Sequence, residues 1–385
     1  MKVLFVTDNY ILEEVDGHYY HRSIDNLINA YRTLGEIKLL LPVCQSISCN
    51  RIVDLSGVSV RAIDKENSIY KRFIDRSKNK RILDEEIKNS DIVVGFVPSS
   101  VCDLAQKYAR KHGKLFLSVV IASAWDILWY HSVKGKIMAP ISHICTARTI
   151  RNSDYVIYVT EKYLQEKYPT KGKCIGISDA ALPEVDDKIL ADRLNNIDSK
   201  ESYRSLKILT IGAVDVRYKA QDDVLKAIAI LNDDGFDVEY TLVGGGSRTY
   251  LEGVAEKLNI DKSILHFTGI VPHDEIISII DSNDIYIQPS RTEGLPRSVV
   301  EAMSRGLPVV CSDVGGMPEL VEKDSLFKKG DYRELADCIK QICLSKEIHM
   351  EMSHRNFNRA KLFQRSILDE SRENFLKTIL DSTIN

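Results

Sequence analysis

Residues 287–320 read IQPSRTEGLPRSVVEAMSRGLPVVCSDVGGMPEL, and this stretch decides the fold class. The apolar alternation of Ile285 and Ile287 stops at Pro289-Ser290, which ends a strand. Gly294-Leu295-Pro296 then opens a helix, with Pro296 near its first position, where a missing N–H costs little. The next apolar run, Pro308–Cys311, predicts another strand. Strand, loop, helix and strand in succession are the repeat of a parallel α/β sheet. Ligands of such sheets sit beyond the carboxyl ends of the strands. The backbone N–H groups of Gly294 and Leu295 face that end and suit a phosphate. Glu293 lies in the loop and Glu301 on the first or second helical turn, so two carboxylates point at one ligand from different directions.

Working outward, short apolar runs separated by helical stretches recur along the chain. They predict buried parallel strands at Val3–Val6, Ile37–Leu41, Ile92–Phe96, Leu115–Ile121 and Val156–Val159. A polar interval follows, PEVDDKILADRLNNIDSKESYRS, without a strong strand signal. A second set then begins at Leu206–Ile211, Glu239–Val243, Leu265–Phe267, Ile285–Ile287 and Pro308–Cys311. Between them lie amphipathic helices such as QDDVLKAIAILNDDG, closed by Gly235. The pattern predicts two doubly wound α/β domains, residues 1–185 and 186–365, with the active site in the cleft between them.

A length of 385 residues suits two domains. A net charge of −3 argues against nucleic acid as a partner. The opening MKVLFVTDNY is too short and too soon broken to be a signal peptide, and no stretch has the length to cross a bilayer. Eight cysteines are scattered without a C-x-x-C pair, so buried thiols in a reducing cytoplasm are expected. LVGGGSRTYL leaves a strand and enters a helix, but a dinucleotide fingerprint would need glycine where Thr249 stands, which speaks against a nicotinamide enzyme. Gly244 and Gly246 instead allow a tight turn beside a donor ligand.

The text from Pro289 to Val310 resembles the E-x7-E signature of family 4 glycosyltransferases. The match covers the spacing Glu293 to Glu301 and also the surrounding PS-x-x-EG-x-P, EAM and G-x-PVV. The resemblance implies a GT-B fold, two Rossmann-like domains facing across a cleft, with the final helix, about residues 366–385, crossing back onto the first domain. It implies a retaining, hexosyltransferase-type enzyme that uses a nucleotide-sugar donor. The first Glu would contact hydroxyls of the transferred sugar and the second the ribose hydroxyls. Carboxylates suit such paired hydroxyls, which donate charge-assisted hydrogen bonds to them. For either residue the plain alternative is a carboxylate that complements the helix dipole.

The segment Gly212–Asp222 resembles the family's G-R…K-G element, whose Arg and Lys bind the donor diphosphate. Lys219 matches the Lys. Ala213 stands where the family has Arg, and Ala220 where it has Gly; Arg217 is the candidate substitute cation. HFTGIVPHDEI resembles the loop that lies against the base, which makes Val271 a donor-side candidate. In the first domain, Gly17 occupies the position of a phosphate-approaching glycine. Asp126 and His131, after the strand Leu115–Ile121, are the acceptor-side candidates, and Trp125 and Trp129 offer either a sugar platform or core packing. No D-x-D occurs in the sequence, which fits a site without a metal, neutralised by Lys219 and helix N-termini.

The resemblance implies transfer of a sugar to a saccharide or lipid-linked saccharide in cell-surface polysaccharide biosynthesis, with no cofactor beyond the nucleotide sugar. Two basic stretches, YKRFIDRSKNKRILDEEIK and HSVKGKIMAPISHICTARTIRNS, read either as faces for the inner membrane surface or as ordinary solvated or packed helices. A nucleotide-sugar epimerase and a non-catalytic nucleotide-sugar-binding subunit remain the alternatives at this level.

Overall fold

The computed structural model describes residues 1–7, 12–15, 18–21, 24–44, 51–63, 77–200 and 204–384. The chain divides into two compact units, residues 1–177 with 369–385, and residues 178–368.

Unit 1 is built on a nine-stranded sheet. Its strands are β1 (Lys2–Val6), β2 (Leu12–Val15), β3 (His18–Tyr20), β4 (Glu36–Cys44), β5 (Val58–Ile63), β6 (Ile92–Val97), β7 (Leu115–Val120), β8 (Tyr155–Tyr158) and β9 (Lys173–Gly176). The order runs β3-β2-β4-β1-β6-β7-β8-β9, with β5 also on β4. All pairings are parallel except β2 with β3. The five expected strands are the central ones, β1, β4, β6, β7 and β8. β6 is buried along its whole length, as the continuous apolar run demands of a strand covered on both faces. The peripheral β2, β3, β5 and β9 lack such runs and escape periodicity. Within this unit, Phe375 of the C-terminal helix Arg365–Ile384 lies edge-on to Tyr155 of β8, with ring centroids 6.1 Å apart. Tyr155 and Ser382 share a 2.6 Å hydrogen bond.

Unit 2 holds a six-stranded, wholly parallel sheet. Its strands are β10 (Ser205–Ile211), β11 (Asp237–Val243), β12 (Leu265–Gly269), β13 (Ile285–Gln288), β14 (Val309–Ser312) and β15 (Leu326–Phe327), in the order β12-β11-β10-β13-β14-β15. The order reverses between β10 and β13. Connections leave these two neighbours in opposite directions, which opens a crevice at their carboxyl ends. Two apolar clusters sandwich the sheet, one around Leu225, Ile228 and Tyr240, the other around Tyr286, Val299 and Met303.

The polar interval read as a boundary is in fact a helix, Asp187–Ser199, capped by Asp186, whose carboxylate accepts from the Lys188 N–H at 2.9 Å. It packs inside unit 2 through buried Arg193, which donates to the carbonyls of Asn283 and Ile280. The division therefore falls at Ile177/Ser178 rather than at 185/186. A long cationic side chain that buries its stem and satisfies backbone carbonyls escapes a hydrophobic pattern.

Candidate active site

The loops that follow β10 and β13 meet at the reversal of strand order. From β13 the chain passes through Ser290 to Glu293 and into the helix Arg297–Ser304, for which Pro296 is the N-cap rather than the first helical residue. From β10 it passes through Gly212 and Ala213 to a short turn, Arg217–Lys219. Lys219 Nζ lies 2.7 Å from Glu293 Oε1. The same oxygen accepts from Gln288 Nε2 at 2.9 Å and Ser290 Oγ at 2.6 Å. Gln288 is further held by Tyr286, whose hydroxyl also bonds Ser298. This buried polar network locks one Glu293 oxygen; no hydrogen bond to Oε2 is formed among the described residues.

Glu301 is on the second turn of the helix and only 8% exposed. Its carboxylate makes no hydrogen bond among the described residues; Ser304 Oγ donates to its backbone carbonyl instead. Burial raises its pKa, and the nearby charges of His273 and Arg297 pull the other way. Its carboxylate oxygens are not among the fully buried unpartnered atoms of the described residues, so solvent reaches them, and a ligand with paired hydroxyls would take that solvent's place. The N–H groups of Gly294 and Leu295 likewise make no hydrogen bond among the described residues, which leaves them suited to an anion.

Glycines set the close approach of the loops. Gly244 has φ of 148°, and a Cβ there would lie 2.3 Å from the Gly212 carbonyl oxygen; at Gly246, φ of 117°, it would lie 2.3 Å from an Asp215 oxygen. Gly212 N–H donates to the Val243 carbonyl and Val214 N–H to that of Gly245. Thus Val243 and Gly245 stitch the β10 and β11 loops together, and Gly244 and Gly246 permit the close approach.

Other sequence-derived residues are placed differently. Arg217 is exposed and stacks over the ring of Tyr250 instead of joining the Lys219–Glu293 network. Val271 is half-buried against the apolar cluster of Val299 and Met303. Gly17 lies outside the described residues. In unit 1, Asp126 accepts from Lys167 Nζ at 2.5 Å and from the Tyr163 hydroxyl at 2.9 Å. Burial works to raise its pKa, but hydrogen bonds from Lys167, Ser123 and Tyr163 outweigh this and hold it below the ordinary value. His131 ends the same helix, Ala124–His131, and is exposed, so the structure does not bring the two together. Trp125 and Trp129 stack on each other, centroids 5.3 Å apart, and the edge of Trp125 meets His143.

Four residues of the site carry little local signal. Arg291 donates its N–H to the Tyr218 carbonyl at 2.6 Å, and its guanidinium lies 2.5 Å from Asp223, which is 1% exposed. Asp223 also takes Lys226 at 2.9 Å. Ala220, where the resemblance has glycine, adopts φ of 54°. Gly315, φ of 60°, packs against the Glu293 backbone, where a Cβ would lie 2.1 Å from the carbonyl oxygen, and Gly316 N–H donates to the Gly294 carbonyl. Among the described residues no cluster of three or more His, Cys, Asp or Glu stands where it could hold a metal ion.

Comparison with known proteins places this geometry. Residues 192–359 match the family model described as glycosyl transferases group 1. Protein CapJ of Staphylococcus aureus is 32% identical over 358 residues, covering 91% of this chain and 88% of that protein. The amylovoran biosynthesis glycosyltransferase AmsK of Erwinia amylovora is 33% identical over 146 residues, 35% of each chain. Among solved structures, sucrose-phosphate synthase of Thermosynechococcus elongatus superimposes with a TM-score of 0.72 at 14% identity over 99% of both chains. HepE of Anabaena in complex with UDP-glucose gives 0.68 at 14% identity over 98% of this chain and 100% of that one. None of these proteins is named as an epimerase. The fold is GT-B, and the chain belongs to the group 1 glycosyltransferases, with relatives in bacterial polysaccharide biosynthesis.

Proposed function

We propose that this glycosyltransferase takes its sugar from a nucleoside diphosphate sugar and passes it to a hydroxyl of a saccharide or lipid-linked saccharide, with retention of the anomeric configuration. The bond between the anomeric carbon and the diphosphate oxygen breaks, a bond to the acceptor oxygen forms, and the acceptor hydroxyl's proton passes to the departing nucleoside diphosphate. One observation carries this reading. Hydrogen-bond capacity left open around the β10–β13 crevice among the described residues includes the carboxylate of Glu301, one oxygen of Glu293, and the amides of Gly294 and Leu295. Those are complementary to ribose hydroxyls, sugar hydroxyls and a diphosphate respectively.

In this scheme Lys219 faces the leaving diphosphate and offsets its developing charge. The Gln288–Ser290 network holds Glu293 so that its second oxygen meets the donor sugar without reorganisation. That HepE binds UDP and UDP-glucose on the same fold supports a nucleotide donor. Asp126 and His131 are kept as acceptor-side candidates, and the reaction is taken to need no divalent ion.

A thermal-shift screen of nucleotides and nucleotide sugars, followed by transfer assays on the donor that binds, tests the proposal. Glu293→Gln is expected to bind nucleotide as wild type does while turnover falls at least 100-fold, the usual scale for a transition-state contact. Glu301→Ala is expected to weaken nucleotide binding first. Full transfer activity in both variants, or transfer abolished by a chelator and restored by a divalent ion, overturns the scheme in the respective part. Loss of acceptor KM in Asp126 or His131 variants, with donor binding intact, supports their side of it.

A further inference from the structure

The helix Val133–Arg151 in unit 1 is inside out. At about 100° per residue, Gly135, Ala139, Thr146, Thr149 and Ile150 fall on one side and are buried, all but Ile150 of them small. Val133, Ile137, Ile141 and Ile144 fall on the opposite side and are 78%, 71%, 47% and 57% exposed. The four form one ridge about 16 Å long at 1.5 Å per residue. Arg148 and Arg151 continue that ridge and are exposed, while Lys134 and Lys136 flank it. Lys136 also lies over the ring of Trp129, 5.6 Å from its centroid. No Asp or Glu occurs from Ile127 to Ser153. The other basic stretch behaves differently. In the helix Ser77–Lys88, Leu83 and Ile87 are buried in the unit 1 core, and the residues before Ser77 lie outside the described set.

We propose that the Val133–Ile144 ridge with its four cations seats this enzyme on an anionic lipid surface. An aliphatic ridge edged by Lys and Arg is the pattern of a helix that lies in the membrane interface, and each cation adds attraction to acidic headgroups. The ridge is convex and continuous, so it needs a soft partner and not a matching groove. A second copy of the chain would bring Lys134, Lys136, Arg148 and Arg151 against the same charges, which opposes self-pairing. No helix of the described residues is long and apolar enough to cross a membrane, so the contact is peripheral. This surface does not depend on the donor chemistry above, and its residues are not part of the site.

The test is co-sedimentation of the full chain with vesicles of phosphatidylcholine alone and with added phosphatidylglycerol. Wild type is expected to pellet with the anionic vesicles only, and to be released by high salt. Ile137→Glu with Ile144→Glu is expected to stay in the supernatant. Lys134→Glu with Lys136→Glu is expected to bind about tenfold more weakly or worse. Ile137 and Ile144 are exposed, so the unfolding temperature of that variant should match wild type. Wild type left in the supernatant with anionic vesicles overturns the proposal, as does equal binding to both vesicle types or undiminished binding of the Ile137/Ile144 variant. A dimer that this variant dissolves assigns the ridge to self-association instead, and binding to polyglutamate as tight as to vesicles assigns it to an acidic polypeptide.

Discussion

Lys219 and Glu293, on loops from two different strands, form a 2.7 Å ion pair at the point where the unit 2 sheet reverses its order. Their side chains are 21% and 12% exposed, so neither charge is fully relieved by water. The pair joins the cation expected to face a leaving diphosphate to the carboxylate expected to face the sugar. Breaking one partner strands the other. Lys219→Met is expected to lower unfolding stability by about 1–3 kcal/mol, and the double variant with Glu293→Gln should recover part of that. A denaturation double-mutant cycle reads the coupling; strict additivity would show that the two charges do not support one another.

Glu301 provides a prediction with a defined sign in pH. Its folded-state pKa is raised, chiefly by burial, so ionisation is costlier in the fold than in the unfolded chain. Below its unfolded value the group is neutral in both states and costs nothing. The penalty develops as pH rises through that value and is complete above the folded one. Glu301→Gln should therefore unfold at a temperature equal to or above wild type at neutral pH and lose that advantage in acid. Nucleotide affinity in wild type should fall as pH drops through the raised pKa, if ribose hydroxyls bind the ionised form. Calorimetric titration across pH 4–8 checks it, and a flat profile equal to that of the Gln variant would count against the role.

Asp126 behaves in the opposite sense. Its pKa is depressed by Lys167, Ser123 and Tyr163 against the effect of burial. The stability it contributes is present above the ordinary carboxylate value and is lost as pH falls through the folded one. Asp126→Asn should destabilise the chain at neutral pH by about 1–3 kcal/mol, with the difference from wild type shrinking below about pH 4. Denaturation at both pH values measures it.

Asp223 holds the Glu293 loop from behind. It is 1% exposed and neutralises both Arg291 and Lys226. Asp223→Asn leaves Arg291 against a neutral amide while Lys226 keeps Asp222 at 2.9 Å, at a cost of about 3 kcal/mol. Because Arg291 precedes Glu293 by two positions, turnover should fall further than nucleotide affinity. Equal losses in both would indicate general unfolding rather than a displaced Glu293.

Gly315 supplies a purely steric test. A methyl group there would press on the Glu293 carbonyl at 2.1 Å, at a φ of 60° that disfavours side chains. Gly315→Ala should lower turnover with little change in secondary structure by circular dichroism. Undiminished turnover would show that the loop yields without moving Glu293.

Much of the architecture was legible in the residues alone, and the reason is local. The expected central strands coincide with β1, β4, β6, β7 and β8 in unit 1 and β10–β14 in unit 2 because buried parallel strands are continuous apolar runs. Gly235 closes its helix with φ of 79°, as a left-handed closing residue does. Glu293 and Glu301 were readable because loop and helix start are set by Gly294 and Pro296. The helix Asp187–Ser199 was not, since one of its two buried residues is an arginine, beside Ile197.

By itself, then, the amino-acid order determined the succession of strands and helices, the loop that bears Glu293 and the helix that bears Glu301. These follow from periodicity, capping and turn chemistry within a few residues. Only the tertiary structure decided that Lys219 pairs with Glu293, that Asp223 takes Arg291, that Arg217 stacks on Tyr250, and that the Val133–Ile144 ridge faces outward. Each of those depends on which strands become neighbours and which helix face finds a partner, and such choices are made by burial across the whole chain.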